Sequence, residues 1–332
     1  MKPVFIIAEI GSIHDGSYGN AIKAVELAQF VGADAVKFQT HLAEHETIKN
    51  APNPSYFKGE PRFDYFKRTA FSLGQWKGIK GHCDELGIGF ISSPFSAEAV
   101  ALLEDVGLST YKIPSGEVTN VAMLAAVAKT GRPVILSSGM SNWLELDQAV
   151  KVLKDGGMNE FSVLQCSSAY PCPPEWVGLN IIKDIKARYS CIAGFSDHTS
   201  SNYAAFAAVT LGAEIIEKHL TFSKHMYGSD ASLAAEPDQF QELVSGIRTI
   251  EALLNDPVDK DNLSPYGEMK KVFEKSVVAA KDIKKGSVIT AAMLGIKKPG
   301  TGMPAAEINN IVGKKAARDI DEDTILSHVD FN

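Results

Sequence analysis

Residues 133–166 read PVILSSGMSNWLELDQAVKVLKDGGMNEFSVLQC. Two short apolar runs, PVILSSG (133–139) and FSVLQC (161–166), flank NWLELDQAVKVLKDGG (142–157), whose apolar residues recur at helical spacing. An Asn opens the helical stretch and glycines close it, the residue types that cap helix starts and ends. The unit reads strand–helix–strand. Its strands are nearly continuous apolar runs, as a sheet buried on both faces requires.

The same unit repeats along most of the chain. Strands are predicted at 3–10, 33–40, 87–93, 110–115, 133–139, 161–166, 191–196 and 214–220, each followed by a helical stretch. Eight such pairs in about 250 residues predict an α/β fold, the (β/α)8 TIM barrel. A doubly wound open sheet is the alternative. It needs fewer strands or a Gly-rich dinucleotide turn, and no G-x-G-x-x-G follows the first strand.

One connection, residues 41–72, is too long for an ordinary loop. Its aromatics Tyr56, Phe57, Phe63, Tyr65 and Phe66 predict that it packs, as a lid over the barrel mouth. The barrel domain is expected over 1–256 and a polar linker over 257–275. A small second domain of short apolar pieces and frequent Gly follows over 276–332. That size is close to the lower limit for folding alone, so this domain is expected to lean on a partner surface.

Composition narrows the function. The chain has 332 residues, 45% of them hydrophobic, which suffices for a full core. No apolar run is long enough to cross a bilayer. The opening MKPVFIIAEIGS lacks a signal peptide's long apolar region and reads as a first strand. Four cysteines without a C-x-x-C point to a reducing cytoplasm rather than a disulfide framework. Cys166 reads as a small core residue, with a catalytic thiol as the alternative. The net charge of −7 argues against non-specific nucleic-acid binding. It leaves room for an anionic small substrate, held where lysines and backbone dipoles make a locally positive site.

A TIM barrel places its active site at the C-terminal ends of the strands. There this sequence puts Glu9, Lys37, Gln39, His41, Lys112, Ser115, Glu117, Ser137, Ser138, Ser167, Ser168, Tyr170, Ser196, Asp197, His198, Glu217, Lys218 and His219. Polar groups inside apolar runs are costly unless paired or used. His198 and His219 end strands seven and eight. Adjacent strands lie about 4.8 Å apart, so the two imidazoles can converge on one divalent ion such as Mn²⁺ or Zn²⁺. Lys37 and Lys112, with Ser115, Ser137 and Ser196, suggest a cradle for a phosphate or carboxylate. The same lysines are alternatively Schiff-base nucleophiles. Glu9, Glu217 and Asp230 either pair with the lysines or serve proton transfer. His14, His41 and His225 are expected to be structural or supporting groups, and His45 and His82 to be solvated.

The motifs IIAEIG, AVKFQTH, YKIPSGE, ILSSGM, GFSDHT and EKHLTFSKHMYGSD occur in that order, and VVAAKDIKKGSVITAAMLGIKKPGTGM follows near the C-terminus. With these the chain resembles the sialic acid synthase family, whose enzymes make nonulosonic acids from phosphoenolpyruvate and an N-acylated hexose. The resemblance implies a TIM barrel followed by an antifreeze-like (SAF, β-clip type) domain. It implies a divalent metal on His198 and His219, most simply Mn²⁺, with Mg²⁺, Co²⁺ or Zn²⁺ as alternatives. It implies that Lys37, Lys112, Ser115, Ser137 and Ser196 hold phosphoenolpyruvate. Glu9, Glu217 and Asp230 then line the reacting centre, and Gln39, Glu117, Ser168, Tyr170 and Lys298 serve the sugar. It further implies a cytoplasmic, domain-swapped homodimer whose small domain reaches the partner's barrel, with no nucleic-acid or membrane partner.

Three departures bear on the sugar. Ile13 and Ser168 stand where the family often has Asn, and Lys298 where an Arg is common. A smaller residue at 168 admits a bulkier substituent, so N-acetylmannosamine and 2,4-diacetamido hexoses both stay open. The legionaminic and pseudaminic acid synthases and the spore-coat polysaccharide synthases are the corresponding relatives. A Schiff-base aldolase and a non-enzymatic carbohydrate-binding protein are the competing readings.

Overall fold

The computed structural model describes residues 2–54, 57 and 59–332; Tyr56 of the long connection lies outside the described residues. Eight parallel strands close into a barrel: β1 (Phe5–Gly11), β2 (Ala35–Thr40), β3 (Gly89–Pro94), β4 (Thr110–Ile113), β5 (Val134–Ser137), β6 (Phe161–Cys166), β7 (Ile192–Asp197) and β8 (Ile215–His219). Each strand pairs with the next, and β1 pairs with β8 through Phe5↔Ile215 to Glu9↔His219. All eight predicted strands are present.

Helices fill the connections: α1 (Tyr18–Phe30), α2 (Ala43–Glu46), α3 (Arg62–Thr69), α4 (Leu73–Leu86), α5 (Ala97–Val106), α6 (Val121–Lys129), α7 (Trp143–Asp155), α8 (Ile181–Tyr189), α9 (Tyr203–Thr210) and α10 (Pro237–Asn255). Local chemistry sets their ends. In α7 the Asn142 side chain accepts from the Glu145 N–H at 3.0 Å, and the Glu145 carboxylate accepts from the Asn142 N–H at 2.9 Å, a reciprocal cap. The face carrying Leu146, Ala149, Val150 and Leu153 is buried, the stripe the sequence spacing requires. Helix α4 stops at Gly87, whose φ of 69° lies in the left-handed region that a residue with a Cβ resists.

Strand alternation separates two cores. Ala8, Ile10, Val36, Phe38, Val134 and Leu136 face outward into the layer beneath the helices. Ile7, Ala35, Ile91, Ile135, Leu164 and Ile215 face inward and plug the barrel. The next inward residues along each strand, two positions on, are Glu9, Lys37, Ser93, Ser137, Cys166 and Glu217, a polar layer directly above an apolar one.

The long connection is not a bare loop. It contains α2 and α3, and Ala43, Phe57, Phe63, Tyr65 and Phe66 form a separate buried cluster. Arg68 ties it down by pairing with Asp15 at 2.7 Å and Glu60 at 2.6 Å.

The chain divides into two compact units, one ending at Asp256 and one spanning Pro257–Asn332. The second holds an antiparallel pair, β9 (Ser276–Ala279) and β10 (Leu294–Lys297), over a core that includes Val277, Ile283, Ile289, Ile320 and Leu326. The stretch expected as a linker carries a helix, α11 (Gly267–Phe273). Among the described residues no helix is long and apolar enough to cross a membrane.

Candidate active site

The polar layer opens into a cavity of about 420 Å³ at the C-terminal end of the barrel. Glu9, Lys37, Gln39, Lys112, Ser115, Ser137, Ser168, Tyr170, Ser196, His198, Glu217, His219 and Asp230 all line it. One residue predicted at the barrel's strand ends does not. Glu117 follows β4 in a short turn, and its carboxylate accepts from Asn120 at 2.7 Å instead of facing the cavity. Lys298 belongs to the second unit, where its ammonium lies 5.1 Å from the Phe273 ring centre.

Register explains the convergence. Glu9 is level with Lys37 on one side and His219 on the other, and Ser196 with Glu217. The Lys37 ammonium lies 2.7 Å from Glu9 and 3.6 Å from Glu217. The Lys112 ammonium donates to Ser137 at 2.7 Å and lies 3.2 Å from Glu217. Two buried positive charges thus face two buried negative ones. Burial disfavours the ammonium of Lys37, but Glu217 and Glu9 outweigh it and raise its pKa. On Lys112 burial wins, aided by Lys37 against the pull of Glu217, and the pKa is lowered. Burial also opposes ionisation of Glu217, yet Lys112 and Lys37 hold its carboxyl below the usual range.

His198 and His219 face each other across the end of the layer, ring centres 5.6 Å apart. Nδ1 of His198 is anchored on the Ser167 carbonyl at 2.9 Å, which fixes the ring and frees Nε2. Nδ1 of His219 is buried without a hydrogen-bond partner among the described residues. Burial lowers the His219 pKa, keeping the imidazole neutral, the form that ligates a metal. An unsatisfied buried ring nitrogen beside an anchored second ring fits a divalent cation. The two rings would hold it as a pair: among the described residues no three His, Cys, Asp or Glu side chains converge as a ligand set. Such a site keeps positions open for water and substrate oxygens.

Gly11 lets Asp230 come close. Its φ is +55°, and a Cβ there would meet the Asp230 carboxylate at 2.5 Å.

His41, expected as a supporting group at the end of strand two, lines the cavity. Tyr65 and Phe66 of α3, expected in a packed lid, line it too, as does Arg62, which no sequence pattern singles out. Arg62 Nε is buried and makes no hydrogen bond among the described residues. Cys166, read as a core residue, also lines the cavity, 3.7 Å from Ser115 Oγ and 3.8 Å from His198 Nδ1. Strand alternation gives the reason, since position 166 is an inward one. The outward Asp197 and Lys218 pair with each other.

Sequence comparison matches residues 24–259 to the NeuB family and residues 274–332 to the SAF domain. The chain belongs to the NeuB family. It is 35% identical to the N,N'-diacetyllegionaminic acid synthase of Campylobacter jejuni over 98% of this chain and 99% of that protein. It is also 35% identical to the human N-acetylneuraminate-9-phosphate synthase, over 98% of this chain and 91% of that one. Among solved structures it resembles the sialic acid synthetase of Leptospira borgpetersenii in complex with citrate. The TM-score there is 0.70 at 30% identity, over 81% of this chain and 91% of the other.

Proposed function

We propose that this NeuB-family enzyme condenses phosphoenolpyruvate with the open-chain form of an N-acylated hexose, giving a nonulosonic acid and phosphate. The carrying observation is the charged layer inside the barrel: Lys37 and Lys112 interleaved with Glu9 and Glu217, closed at one end by the His198–His219 pair. The sugar is N-acetylmannosamine or a 2,4-diacetamido hexose, the latter favoured by the small Ser168 at the cavity wall.

Lys37 and Lys112 bind the anionic donor as point charges, and the hydroxyls of Ser115, Ser137 and Ser196 donate to its oxygens. His198 and His219 would hold a divalent cation, Mn²⁺ first, which when bound supplies Lewis-acid polarisation of a carbonyl oxygen. Carbon C3 of phosphoenolpyruvate bonds to the aldehyde carbon, and the aldehyde oxygen takes a proton to become a hydroxyl. Glu217 relays that proton to the sugar oxygen, balancing the one that water gives up at C2. Positive charge develops at C2. Glu9 or Asp230 accepts a proton from the water that adds there. The C2 hydroxyl then gives up its proton and becomes the ketone carbonyl as the bond from C2 to the bridging oxygen breaks, and phosphate leaves with that electron pair and the proton. Gln39, Tyr170 and Ser168 orient the sugar. In the cell the protein is a cytoplasmic homodimer, and Lys298 of the partner subunit completes the sugar site.

One observation favours the aldolase reading: the lowered pKa of Lys112, which makes its amine a better nucleophile. Borohydride trapping with substrate separates the two. A covalent adduct at Lys112 supports the aldolase and removes the synthase.

The deciding experiment incubates the protein with phosphoenolpyruvate, Mn²⁺ and a panel of N-acylated hexoses. Phosphate release and product mass are measured together. A product with the combined mass of the two substrates plus one water, less phosphoric acid, is expected with one hexose class. No phosphate release with any of them would overturn the reading.

A further inference from the structure

A line of hydrogen bonds runs from α2 to Glu9. Glu46 Oε1 lies 2.7 Å from His41 Nδ1, His41 Nε2 lies 3.0 Å from Gln39 Oε1, and Gln39 Nε2 donates to Glu9 Oε1 at 2.7 Å. Lys37 ends the line, 2.7 Å from the other oxygen of Glu9. Chemistry fixes the direction of each bond. Glu9 beside an ammonium accepts, so the Gln39 amide turns its N–H to Glu9 and its oxygen to His41. Glu46 also accepts, its second oxygen taking the Leu42 N–H at 3.2 Å. Nε2 of His41 therefore donates to the Gln39 oxygen.

The ring is also clamped on both faces. Phe66 of α3 stacks on one at 3.6 Å and an interplanar angle of 9°, and Phe95 on the other at 4.0 Å and 22°. The side chains of His41 and Glu46 are each 5% exposed. The imidazole thus joins the helix beside the cavity mouth to the carboxylate on its floor.

We propose that His41 is a positioning residue: it locks Gln39 so that the Gln39 amide fixes the orientation of Glu9, and it ties that orientation to the docking of α3. This rests on the reading of Glu9 as a carboxylate of the reacting centre. A purely structural His41, held by stacking alone, makes the opposite prediction for an aromatic replacement. His41→Phe keeps a flat ring between Phe66 and Phe95 but donates nothing. His41→Gln gives up the stack but can still donate to Gln39.

The test measures kcat and KM by phosphate release, on the full chain, with thermal unfolding followed alongside. Positioning predicts that His41→Phe lowers kcat by about tenfold to a hundredfold while KM for phosphoenolpyruvate stays within about twofold. His41→Gln recovers part of kcat. In a Gln39→Ala background, adding His41→Phe costs less than about a further twofold, because the two act through one chain. Unchanged kcat in His41→Phe, or an equal loss in both backgrounds, overturns the proposal. A fall in unfolding temperature with kcat intact overturns it as well. A second arm needs no turnover: proton–nitrogen correlation spectra of the resting protein should place a proton on Nε2 of His41, the nitrogen that faces Gln39. A bare Nε2 overturns the positioning role alone. A wild-type protein that releases no phosphate with any hexose overturns the proposed reaction.

Discussion

Asp197 and Lys218 form a buried ion pair at 2.6 Å across the seam between β7 and β8, one residue before His198 and His219 respectively. The Lys218 ammonium also donates to the carbonyls of Thr199 and Ser201, each at 3.0 Å, and Asp197 accepts from the Thr199 N–H at 2.9 Å. All these partners are outside the barrel lumen. The pair holds together the two strand ends that carry the facing imidazoles. Replacing Asp197 by Ala leaves a buried ammonium without its counter-charge, at an expected cost of about 3–5 kcal/mol in urea unfolding. Mn²⁺ affinity, read by calorimetry, should fall by about tenfold to a hundredfold as the rings lose their support. A variant with the wild-type urea midpoint would show that the pair contributes nothing to either.

Metal removal gives the second prediction. Treatment with EDTA should abolish phosphate release, and Mn²⁺ should restore it. His219→Ala should lower kcat by about a hundredfold or more and resist rescue by added Mn²⁺, because one ring of the proposed metal-binding pair is gone. Full activity in exhaustively chelated protein would remove His198 and His219 from the metal role.

Gly11 provides a test of Asp230 without touching it. A methyl group at position 11 would occupy the place of the Asp230 carboxylate and would also crowd Gln39 Nε2 at 3.3 Å. The φ of +55° adds strain of about 1–2 kcal/mol for Ala. Gly11→Ala is expected to lose about tenfold or more in kcat while remaining folded, as judged by circular dichroism and unfolding temperature. Wild-type kcat in a folded Gly11→Ala protein would argue against a need for Asp230 at its present position.

How much of this was legible in the sequence depends on which element carries each residue. Residues on strands were readable, because a period of two fixes which side chains enter the barrel once the strand is found. Glu9, Lys37, Ser137, Ser196, Glu217 and His219 follow from that rule. Ser115 and His198 lie at most two residues past a strand end and were caught by proximity. The same period turns Asp197 and Lys218 outward, where they pair, and Cys166 inward. On α3 the aromatics signal a packed lid but not which of its side chains reach the cavity. Arg62 and Phe66 reach it through a connection whose path depends on tertiary packing of Phe63 and Tyr65, which no local periodicity encodes. Glu117 turns from the cavity for a local reason. Asn120, three residues on, captures its carboxylate within the turn.

His14 supplies the pH prediction. Its ring is buried near Phe71, with centres 4.5 Å apart, and Nδ1 accepts the Gly16 N–H at 3.1 Å. Protonating that nitrogen would set one N–H against another inside an apolar wall. Burial, with His41 nearby adding to it, pushes the His14 pKa down from 6.5 to about 3. The unfolded chain therefore binds a proton below pH 6.5 that the folded protein refuses. By linkage, this residue's contribution to stability is intact above pH 6.5 and declines as pH falls from 6.5 toward 3, by about 1.4 kcal/mol per unit. His14→Gln retains an acceptor for Gly16 but no titrating ring. Urea unfolding at pH 7.5 and pH 4.5 should show the wild type losing about 2–3 kcal/mol more than His14→Gln across that interval. Parallel losses in the two proteins would mean that His14 takes its proton in the folded state, and that the Gly16 hydrogen bond does not hold the ring neutral.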